Sequence, residues 1–304
     1  MPDEQVVIVG AGPAGVAAAV QCLRLGIRPL LLDRLGTPGG LVANAFCVEN
    51  YPGLEPLPGS LLAARLAAHL ERFGLGVVPA TVHAIRRATG GYALDTDRGL
   101  VTTRAVIVAA GTVPRRLQIP GASEAEAIRL FYEVRDLLAS PLSAERGGIV
   151  VIGGGEAALD YSLSLARAGY MVSVLVRGQR FRAQGRLVAR VRATPGIAVR
   201  LGVEPIEMLP VAGGIAVKTN DDASGPVCGL AVLAAVGRVS AVSSILADLR
   251  VDGNRGAPVS SDLRGLFVVG DARRGAVGQV GIAVGDGLTA AMDAAELLGS
   301  YGEV

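Results

Sequence analysis

A glycine-rich stretch close to the start of the chain has the spacing that binds a dinucleotide. It reads Gly10-Ala11-Gly12-Pro13-Ala14-Gly15, it follows an apolar run, and Asp33 comes 23 residues after Gly10. In such a turn the first glycine makes the bend, the second lets a pyrophosphate contact the backbone, and the third lets the helix pack on the strand. The helix N-terminus adds N–H donors and a partial positive charge. Because the Asp33 carboxylate can accept hydrogen bonds from a ribose diol, this stretch predicts a site for an adenosine without a 2′-phosphate, as in FAD or NAD.

A second glycine-rich stretch, Gly153-Gly154-Gly155-Glu156-Ala157-Ala158, has the same form but a different charge at its end. Alanine replaces the third glycine, which is a common variant. The position 23 residues after Gly153 is Val176, so no carboxylate occupies it, and Arg177 follows, with Arg180 three residues later. An arginine beside the ribose accommodates a 2′-phosphate, so this site is predicted to favour NADPH over NADH. NADH use, or another adenine nucleotide in this site, stays open, since a solvated basic strand end would give the same sequence pattern.

Both stretches lie between a predicted strand and a predicted helix. The opening unit consists of a strand, a helix and a strand, over residues 6–9, 13–25 and 29–33. An equivalent strand, turn and helix begin about 143 residues later, at Ile149. The strands are apolar without alternation, which predicts that both of their faces are covered, as in a parallel sheet. Hairpin signals around 90–99 and 213–214 predict a small antiparallel meander after each unit. The expected fold class is therefore α/β, with two doubly wound Rossmann-like dinucleotide-binding domains of the three-layer ββα type.

The composition excludes several other classes of function. With 51% hydrophobic residues among 304 and a net charge of +2, the chain can bury large cores but has no strong field to attract a nucleic acid or a membrane surface. No apolar run is long enough to span a bilayer, and the chain starts directly with a strand, so we expect no signal peptide. The three cysteines, Cys22, Cys47 and Cys228, are far apart, which argues against a zinc site or a disulfide framework. We therefore expect a cytoplasmic protein without a bound metal, in which Cys22 and Cys228 fill cores.

In combination and in order, the motifs of this chain resemble those of the low-molecular-weight thioredoxin reductases and of the related ferredoxin (flavodoxin) NADP reductases. Besides the two glycine-rich stretches they are GG at 39–40, VENYPG at 48–53, AAGTVPRRLQIPG at 109–121, RFRA at 180–183 and GLFVVGD at 265–271. The resemblance covers nearly the whole chain. It implies an FAD-binding domain in two pieces, 1–113 and 241–304, with an NAD(P)H-binding domain over 114–240 inserted between them. It also implies a homodimer.

The same resemblance assigns further residues to the flavin. Asn50 would contact the flavin, and Asp271 the ribitol and the pyrophosphate. The backbone of Gln279 and Val280 would meet the N1 and C2 carbonyl edge, where helix N-terminal N–H groups would stabilise the charge that N1 gains on reduction. Three glycines of the shared motifs complete the expected FAD set: Gly40, Gly111 and Gly270.

The chain departs from the thioredoxin reductases at their dithiol. Those enzymes carry C-x-x-C followed by an aspartate before the second glycine-rich strand. Here Phe131 and Val134 take the places of the cysteines, and Arg135 takes the place of the acid. Thiol–disulfide exchange requires a thiolate, so this chain cannot run it by the usual route. The ferredoxin reductase branch, which the chain resembles in this respect, also lacks the dithiol and passes electrons to an external carrier.

We therefore expect an FAD-dependent oxidoreductase in which NAD(P)H reduces the flavin and the flavin reduces a separate acceptor, such as a small electron-carrier protein. The flavin carries the chemistry, and no side chain is expected to be catalytic. Phe131 or Tyr132 could cover the flavin. Four arginines could form a basic rim for an acidic carrier: Arg115, Arg116, Arg273 and Arg274. Two alternatives stay open. One is a flavin-binding protein without NAD(P)H turnover, with a second nucleotide such as FAD in the Gly153 site; the other is a disulfide reductase that uses external thiols or Cys47.

Overall fold

The computed structural model describes residues 3–126, 128–144, 147–221, 223, 225–249, 263–275 and 278–300. Contacts divide the chain into two compact units. The first unit comprises Met1–Ala43, Val48–Val113 and Arg238–Val304, and the second comprises Asn44–Cys47 and Pro114–Gly237. The second unit is thus inserted into the sequence of the first.

The described elements alternate between strands and helices. In chain order the strands are β1 (Glu4–Val9), β2 (Leu30–Asp33), β3 (Val78–Pro79), β4 (Val82–Ala88), β5 (Gly91–Thr96), β6 (Gly99–Val108), β7 (Thr112–Pro114), β8 (Leu130–Phe131), β9 (Gly148–Ile152), β10 (Met171–Val176), β11 (Ile197–Leu201), β12 (Pro205–Val211), β13 (Gly214–Thr219), β14 (Val227–Gly229), β15 (Ala231–Ala234), β16 (Arg238–Ser240) and β17 (Leu266–Val268). The α-helices are α1 (Pro13–Arg24), α2 (Gly59–Arg72), α3 (Ala122–Glu126), α4 (Val134–Ala139), α5 (Glu156–Arg167), α6 (Gly185–Ala193), α7 (Val242–Ile245), α8 (Asp271–Arg274) and α9 (Val280–Leu298). Short 3₁₀ helices cover Gly40–Asn44, Pro141–Ala144 and Ala247–Leu249.

The first unit is organised around β1, which lies between β2 and β6 in parallel pairing. Strand β3 extends the sheet beyond β2, and β17 pairs in parallel with the carboxyl-terminal half of β6. Strands β4, β5 and β6 form the antiparallel meander that the hairpin signals predict. Val6, Val7, Ile8 and Ala105–Val108 have no exposed surface, because the sheet is covered on both faces. Helices α1 and α9 pack on one of those faces.

The second unit repeats this plan. Its parallel sheet has the order β11-β10-β9-β15-β8, and β12, β13 and β14 form a separate antiparallel sheet. Ile149, Val150 and Val151 of β9 are completely buried. The parallel strands of the two sheets, together with the helices and meanders, confirm the predicted α/β fold class. Doubly wound sheets bind ligands at the carboxyl ends of their parallel strands, which include β1, β2, β9 and β10 here.

Two smaller expectations are wrong. From the sequence, Ser60 is predicted as the N-cap of the helix that follows the Gly/Pro-rich stretch 36–59, because serine is a preferred cap residue. It does not cap α2, which begins at Gly59 after Pro58, so Ser60 lies inside the first turn. Cys228 does not fill a core: it lies on the exposed side of the short strand β14, because alternate residues of a strand point to opposite faces. Cys22 is fully buried on α1, as expected. Among the described residues, no helix has both the length and the apolar character needed to cross a bilayer.

Candidate functional site

The first glycine-rich stretch forms a tight turn from β1 into α1. Gly10 adopts a left-handed φ of +102°, and a Cβ there would lie 2.4 Å from the carbonyl oxygen of Ala109. Gly15 packs so closely on Gly10 that a Cβ would clash with its carbonyl oxygen. Gly12, by contrast, has extended backbone at the N-cap of α1, and a Cβ there would meet no atom within 4 Å. The open side of Gly12 therefore leaves space at the N-terminus of α1, whose first turn contains Pro13 and Ala14.

Asp33 is held at the mouth of this turn by two backbone donors. The N–H of Ala11 donates to Oδ2 at 2.9 Å, and the N–H of Leu35 donates to Oδ1 at 2.8 Å. Gly39 donates its N–H to the carbonyl of Ala11 at 2.8 Å, and Gly40 faces the Cα of Gly12. The predicted ribose acceptor and the predicted pyrophosphate turn therefore belong to one hydrogen-bonded cluster.

The carboxyl ends of β6 and β17 carry the next predicted FAD residues. Gly270 follows β17 and lies against Ala14 of α1, since a Cβ on Gly270 would be 3.1 Å from the Ala14 Cβ. Asp271 starts α8, and burial raises the pKa of its carboxyl, an effect that Asp286 reinforces and Arg238 opposes. Gly111 lies after the end of β6, where its carbonyl accepts the N–H of Ala241 at 3.1 Å.

Asn50 and Gln279 are far apart in sequence but adjacent in the first unit. The side-chain amide of Asn50 donates a hydrogen bond to the side-chain carbonyl of Gln279. Gln279 is the N-cap of α9, and Val280 is its first residue. The two residues that the resemblance assigns to the isoalloxazine thus meet at a helix N-terminus, which is suited to a developing negative charge.

The second glycine-rich stretch repeats the hydrogen bonds of the first at a spacing of 143 residues. Gly10 donates to Leu32, and Gly153 donates to Leu175; Gly39 donates to Ala11, and Arg182 donates to Gly154. Gly155 is the N-cap of α5, and a Cβ there would meet only the carbonyl oxygen of Arg182, at 4.0 Å. The two stretches therefore share individual backbone hydrogen bonds as well as a sequence pattern. They also share an N-cap glycine with open space beside it.

The charges around the second turn differ from those around the first. Val176 is buried in the position equivalent to Asp33, where its side chain fills the space beside Gly154. Arg177 and Arg180 are exposed on the loop that follows β10, and Arg177 pairs with Glu204 at 3.6 Å. Glu156 and Ala157, in the first turn of α5, are also exposed. The glycine pattern predicts this loop, but only the structure brings Glu204 next to it.

Residues 131–135 occupy the carboxyl end of β8 and the start of α4. Tyr132 is buried within the second unit, donates its hydroxyl to Glu126 at 2.6 Å and accepts the N–H of Leu117 at 3.0 Å. The guanidinium of Arg116 stacks 4.6 Å from its ring centre. Phe131 is partly buried against the core of the same unit. These contacts give Tyr132 and Arg116 structural partners inside the second unit. Arg274, another of the four arginines of the predicted basic rim, pairs with Asp286 in the first unit at 2.7 and 2.8 Å.

Sequence reasoning missed a buried carboxylate between the positions of the family's cysteines. Oε2 of Glu133 accepts the side-chain amide of Asn44 at 2.7 Å and the hydroxyl of Tyr161 at 2.8 Å. Glu133 is 9% exposed and Asn44 is 4% exposed. The sequence analysis predicts no strand at Leu130–Phe131, so no pattern marked the acid that follows this strand two residues later.

A second missed carboxylate, Asp160 on α5, holds the chain segment Asn44–Cys47. Asp160 accepts the backbone N–H of Phe46 at 2.8 Å, and the guanidinium of Arg167 stacks 4.5 Å from the ring centre of Phe46. Burial raises the pKa of the Asp160 carboxyl to about 6, against the opposing effects of Phe46, Arg167 and Arg190. No sequence motif marks this contact, because its two sides are more than a hundred residues apart.

The three cysteines are all free and lie in different environments. Cys22 is buried, which raises its pKa to about 12 and makes it inert as a nucleophile. Cys47 is partly buried in the segment that packs with the second unit, and Cys228 is exposed. No two of them have the C-x-x-C spacing of a redox-active dithiol.

Comparison with known proteins identifies relatives along the whole chain. The profile of the family described as Pyridine nucleotide-disulphide oxidoreductase matches residues 4–287. The NADPH-dependent thioredoxin reductase 3 of Arabidopsis thaliana is 31% identical over 211 residues, which are 68% of this chain and 40% of that protein. The thioredoxin reductase of Treponema pallidum (strain Nichols) is 30% identical over 304 residues, 97% of each chain. The crystal structure of Lactococcus lactis thioredoxin reductase (FR conformation) superposes with a TM-score of 0.84 at 29% identity, covering 97% of this chain and 99% of that one.

These relatives confirm the resemblance that the sequence motifs indicate. The chain spans 40% of the length of the Arabidopsis protein, but almost all of the Treponema and Lactococcus proteins. Thioredoxin reductases use FAD and NADPH, and thioredoxin reductase-like homologues are FAD-dependent NAD(P)H oxidoreductases that are commonly dimeric. Fold, motif order and sequence similarity together place this chain in the pyridine nucleotide-disulphide oxidoreductase family, among its thioredoxin reductase-like flavoproteins.

Proposed function

We propose that the protein is an FAD-dependent NAD(P)H oxidoreductase that passes electrons to a separate acceptor and not through a dithiol of its own. The observation that carries this proposal is the repeated glycine turn. Two turns with the same backbone hydrogen bonds end in different charges, Asp33 in the first unit and Arg177 in the second. The first site suits a ribose diol, as in FAD, and the second suits a 2′-phosphate, as in NADPH.

The first unit would hold FAD. Gly10, Gly12 and Gly15 with the N-terminus of α1 would bind the pyrophosphate, and Asp33 would bind the adenosine ribose. Three further groups would orient the flavin itself: Asp271, the Asn50–Gln279 pair and the start of α9 at Val280. When bound, FAD supplies the chemistry, because it accepts a hydride from NAD(P)H and releases the electrons to another molecule. The chain contributes binding, orientation and the partial positive charge of helix N-termini.

The second unit would hold the nicotinamide nucleotide. Gly153, Gly155 and the N-terminus of α5 would bind its pyrophosphate, with Glu156 and Ala157 in the first turn. Arg177 and Arg180 would lie beside its ribose. The domain assignment over 1–113, 114–240 and 241–304 is part of this proposal.

The absence of a cysteine pair in the sequence separates this chain from its named relatives. Phe131 and Val134 stand where a thioredoxin reductase has its reactive thiols, and neither side chain can exchange electrons with a disulfide. The acceptor would therefore take electrons directly from the flavin. A small electron-carrier protein fits this role, and a homodimer is the proposed assembly. The cytoplasmic location inferred from the sequence stays a prediction.

Anaerobic titration of the holoprotein tests the proposal. NADPH or NADH is expected to bleach the flavin absorbance, and the reduced protein is then offered ferredoxin, flavodoxin, a quinone and thioredoxin in turn. Reoxidation by a carrier or a quinone without thiol formation supports the proposal. If neither nucleotide bleaches the flavin, the protein is a flavin-binding module without turnover. If NADPH generates two new titratable thiols per subunit, the protein is a disulfide reductase by another route.

A further inference from the structure

Glu204 lies beside the arginine that the second glycine turn presents to a nucleotide. The N–H of Val203 donates to the carbonyl of Val176 at 3.1 Å, which places the following residues, Glu204 and Arg177, side by side. Their side chains form an ion pair of 3.6 Å between Nη1 and Oε1. The backbone of Glu204 is fixed, because its N–H donates to the side-chain carbonyl of Asn220 at 2.8 Å and its carbonyl accepts the N–H of Asn220 at 2.9 Å.

The loop after β10 is held in the same place by further contacts. Gly202 donates its N–H to the carbonyl of Gly178 at 3.1 Å and packs against the side chain of Gln179. The N–H of Arg182 donates to the carbonyl of Gly154 at 2.7 Å. Backbone hydrogen bonds therefore place Arg177 and Glu204 next to each other, whichever rotamers their exposed side chains adopt.

We propose that Glu204 weakens the preference of the second site for NADPH over NADH, by pairing with Arg177 and opposing the 2′-phosphate of NADPH. This inference rests on the proposed function, in which the second unit binds NAD(P)H. A 2′-phosphate carries between one and two negative charges near neutral pH, so a carboxylate next to its arginine partner repels it. The same carboxylate can accept a hydrogen bond from the 2′-hydroxyl of NADH, as Asp33 would from FAD. The site would then accept both nucleotides with little preference.

Isothermal titration calorimetry of nucleotide binding to the holoprotein tests the role of Glu204 without relying on turnover. The probes are 2′,5′-ADP and 5′-AMP, which differ only in the 2′-phosphate. Glu204→Gln is expected to raise the affinity for 2′,5′-ADP by about three- to tenfold at low ionic strength, because it removes one negative charge beside the 2′-phosphate, and the gain should shrink with salt. The affinity for 5′-AMP should stay the same or fall. The gain should be smaller in an Arg177→Gln background, because part of the effect of Glu204 is its pairing with Arg177.

Glu207→Gln is the matched control. It makes the same charge change in the same unit, but Glu207 pairs with Lys218 at 2.6 Å and not with the arginine loop. Its two affinities should match those of the wild type. If Glu204→Gln leaves the ratio of the two affinities unchanged while both probes still bind, the inference is wrong and the proposed function stands. If the wild-type holoprotein binds neither probe, the second nucleotide site and the inference fall together.

Discussion

The backbone N–H of Ala11 donates a 2.9 Å hydrogen bond to the Asp33 carboxylate, which fixes an acid at the mouth of the first glycine turn. In the second unit the equivalent position is Val176, whose side chain fills the space beside Gly154. The same backbone turn is therefore used twice with a negative charge in one copy and none in the other. Arg177, one residue later, is the first charged residue of the loop that follows β10.

Replacement of Asp33 by alanine should weaken FAD binding. The variant loses a charged acceptor for the ribose and leaves the Ala11 N–H without its carboxylate, so we expect FAD affinity to fall at least about tenfold. Flavin content after gel filtration and a dissociation constant from fluorescence measure this. Asp97→Ala is the control, because Asp97 also accepts a backbone N–H, from Thr81 at 2.9 Å, but in a turn of the meander. Retention of flavin by Asp33→Ala at the wild-type level would contradict the assignment.

Two glycine-to-alanine substitutions should separate the two sites. A Cβ on Gly12 meets no atom within 4 Å, and one on Gly155 meets only the carbonyl of Arg182 at 4.0 Å. Both backbones are extended, so each alanine should cost about 1 kcal/mol of stability or less. The added methyl would instead occupy the space of a pyrophosphate.

We therefore expect Gly12→Ala to lose FAD while the apoprotein stays folded. Gly155→Ala should keep FAD but bind NADPH at least about tenfold more weakly, since it blocks only the second turn. Flavin content, melting temperature and NADPH titration distinguish the two. Equal effects of both substitutions on FAD would refute the division of roles.

The fold and the two glycine turns could be predicted from the sequence, and the reason is physical. Strand β1, the turn at Gly10 and helix α1 are consecutive in the chain, so the spacing of apolar residues and glycines within this short segment predicts them. The same holds for α9, because the apolar pattern of Val280–Leu298 is also a local feature of the chain. Contacts between distant segments carry no such local signal. The pairing of Arg177 with Glu204 depends on the register of β10 against β11, and that of Asn44 with Glu133 on tertiary packing. A local signal can also fail. Ser60 is a favourable N-cap residue, but α2 begins one residue before it, at Gly59.

Glu133 should contribute to stability through its two buried donors. Glu133→Ala removes the acceptor of the Asn44 amide and of the Tyr161 hydroxyl, and unpaired buried donors cost about 2–4 kcal/mol in the free energy of unfolding. Glu133→Gln keeps a side-chain oxygen and should cost clearly less. Urea unfolding of both variants measures the difference. If alanine and glutamine are equally destabilising, the carboxylate has a role other than accepting these two hydrogen bonds.

Asp160 should make the stability depend on pH. Burial raises the pKa of its carboxyl from 3.8 to about 6, so the folded state holds a proton that the unfolded state has already released. Stability therefore falls as the pH rises from about 4 to about 6, by about 3 kcal/mol in all. Asp160→Asn is neutral throughout and still offers an oxygen to the Phe46 N–H.

The advantage of Asp160→Asn over the wild type should thus grow by up to about 3 kcal/mol between pH 4 and pH 7. Chemical unfolding at several pH values measures it. Asp136→Asn serves as the control, because the Asp136 side chain in the same unit is 61% exposed. A difference between Asp160→Asn and the wild type that is constant across this range would show that the Asp160 carboxyl does not titrate there.

The most direct test of electron transfer without an internal dithiol is a reductive titration. The holoprotein is titrated anaerobically with dithionite while the flavin absorbance is followed. We expect complete reduction with about one two-electron equivalent per flavin, because the flavin is the only two-electron centre that this chain would carry. Uptake of about two equivalents per flavin, with new thiols appearing, would reveal a redox-active sulfur pair and contradict the account.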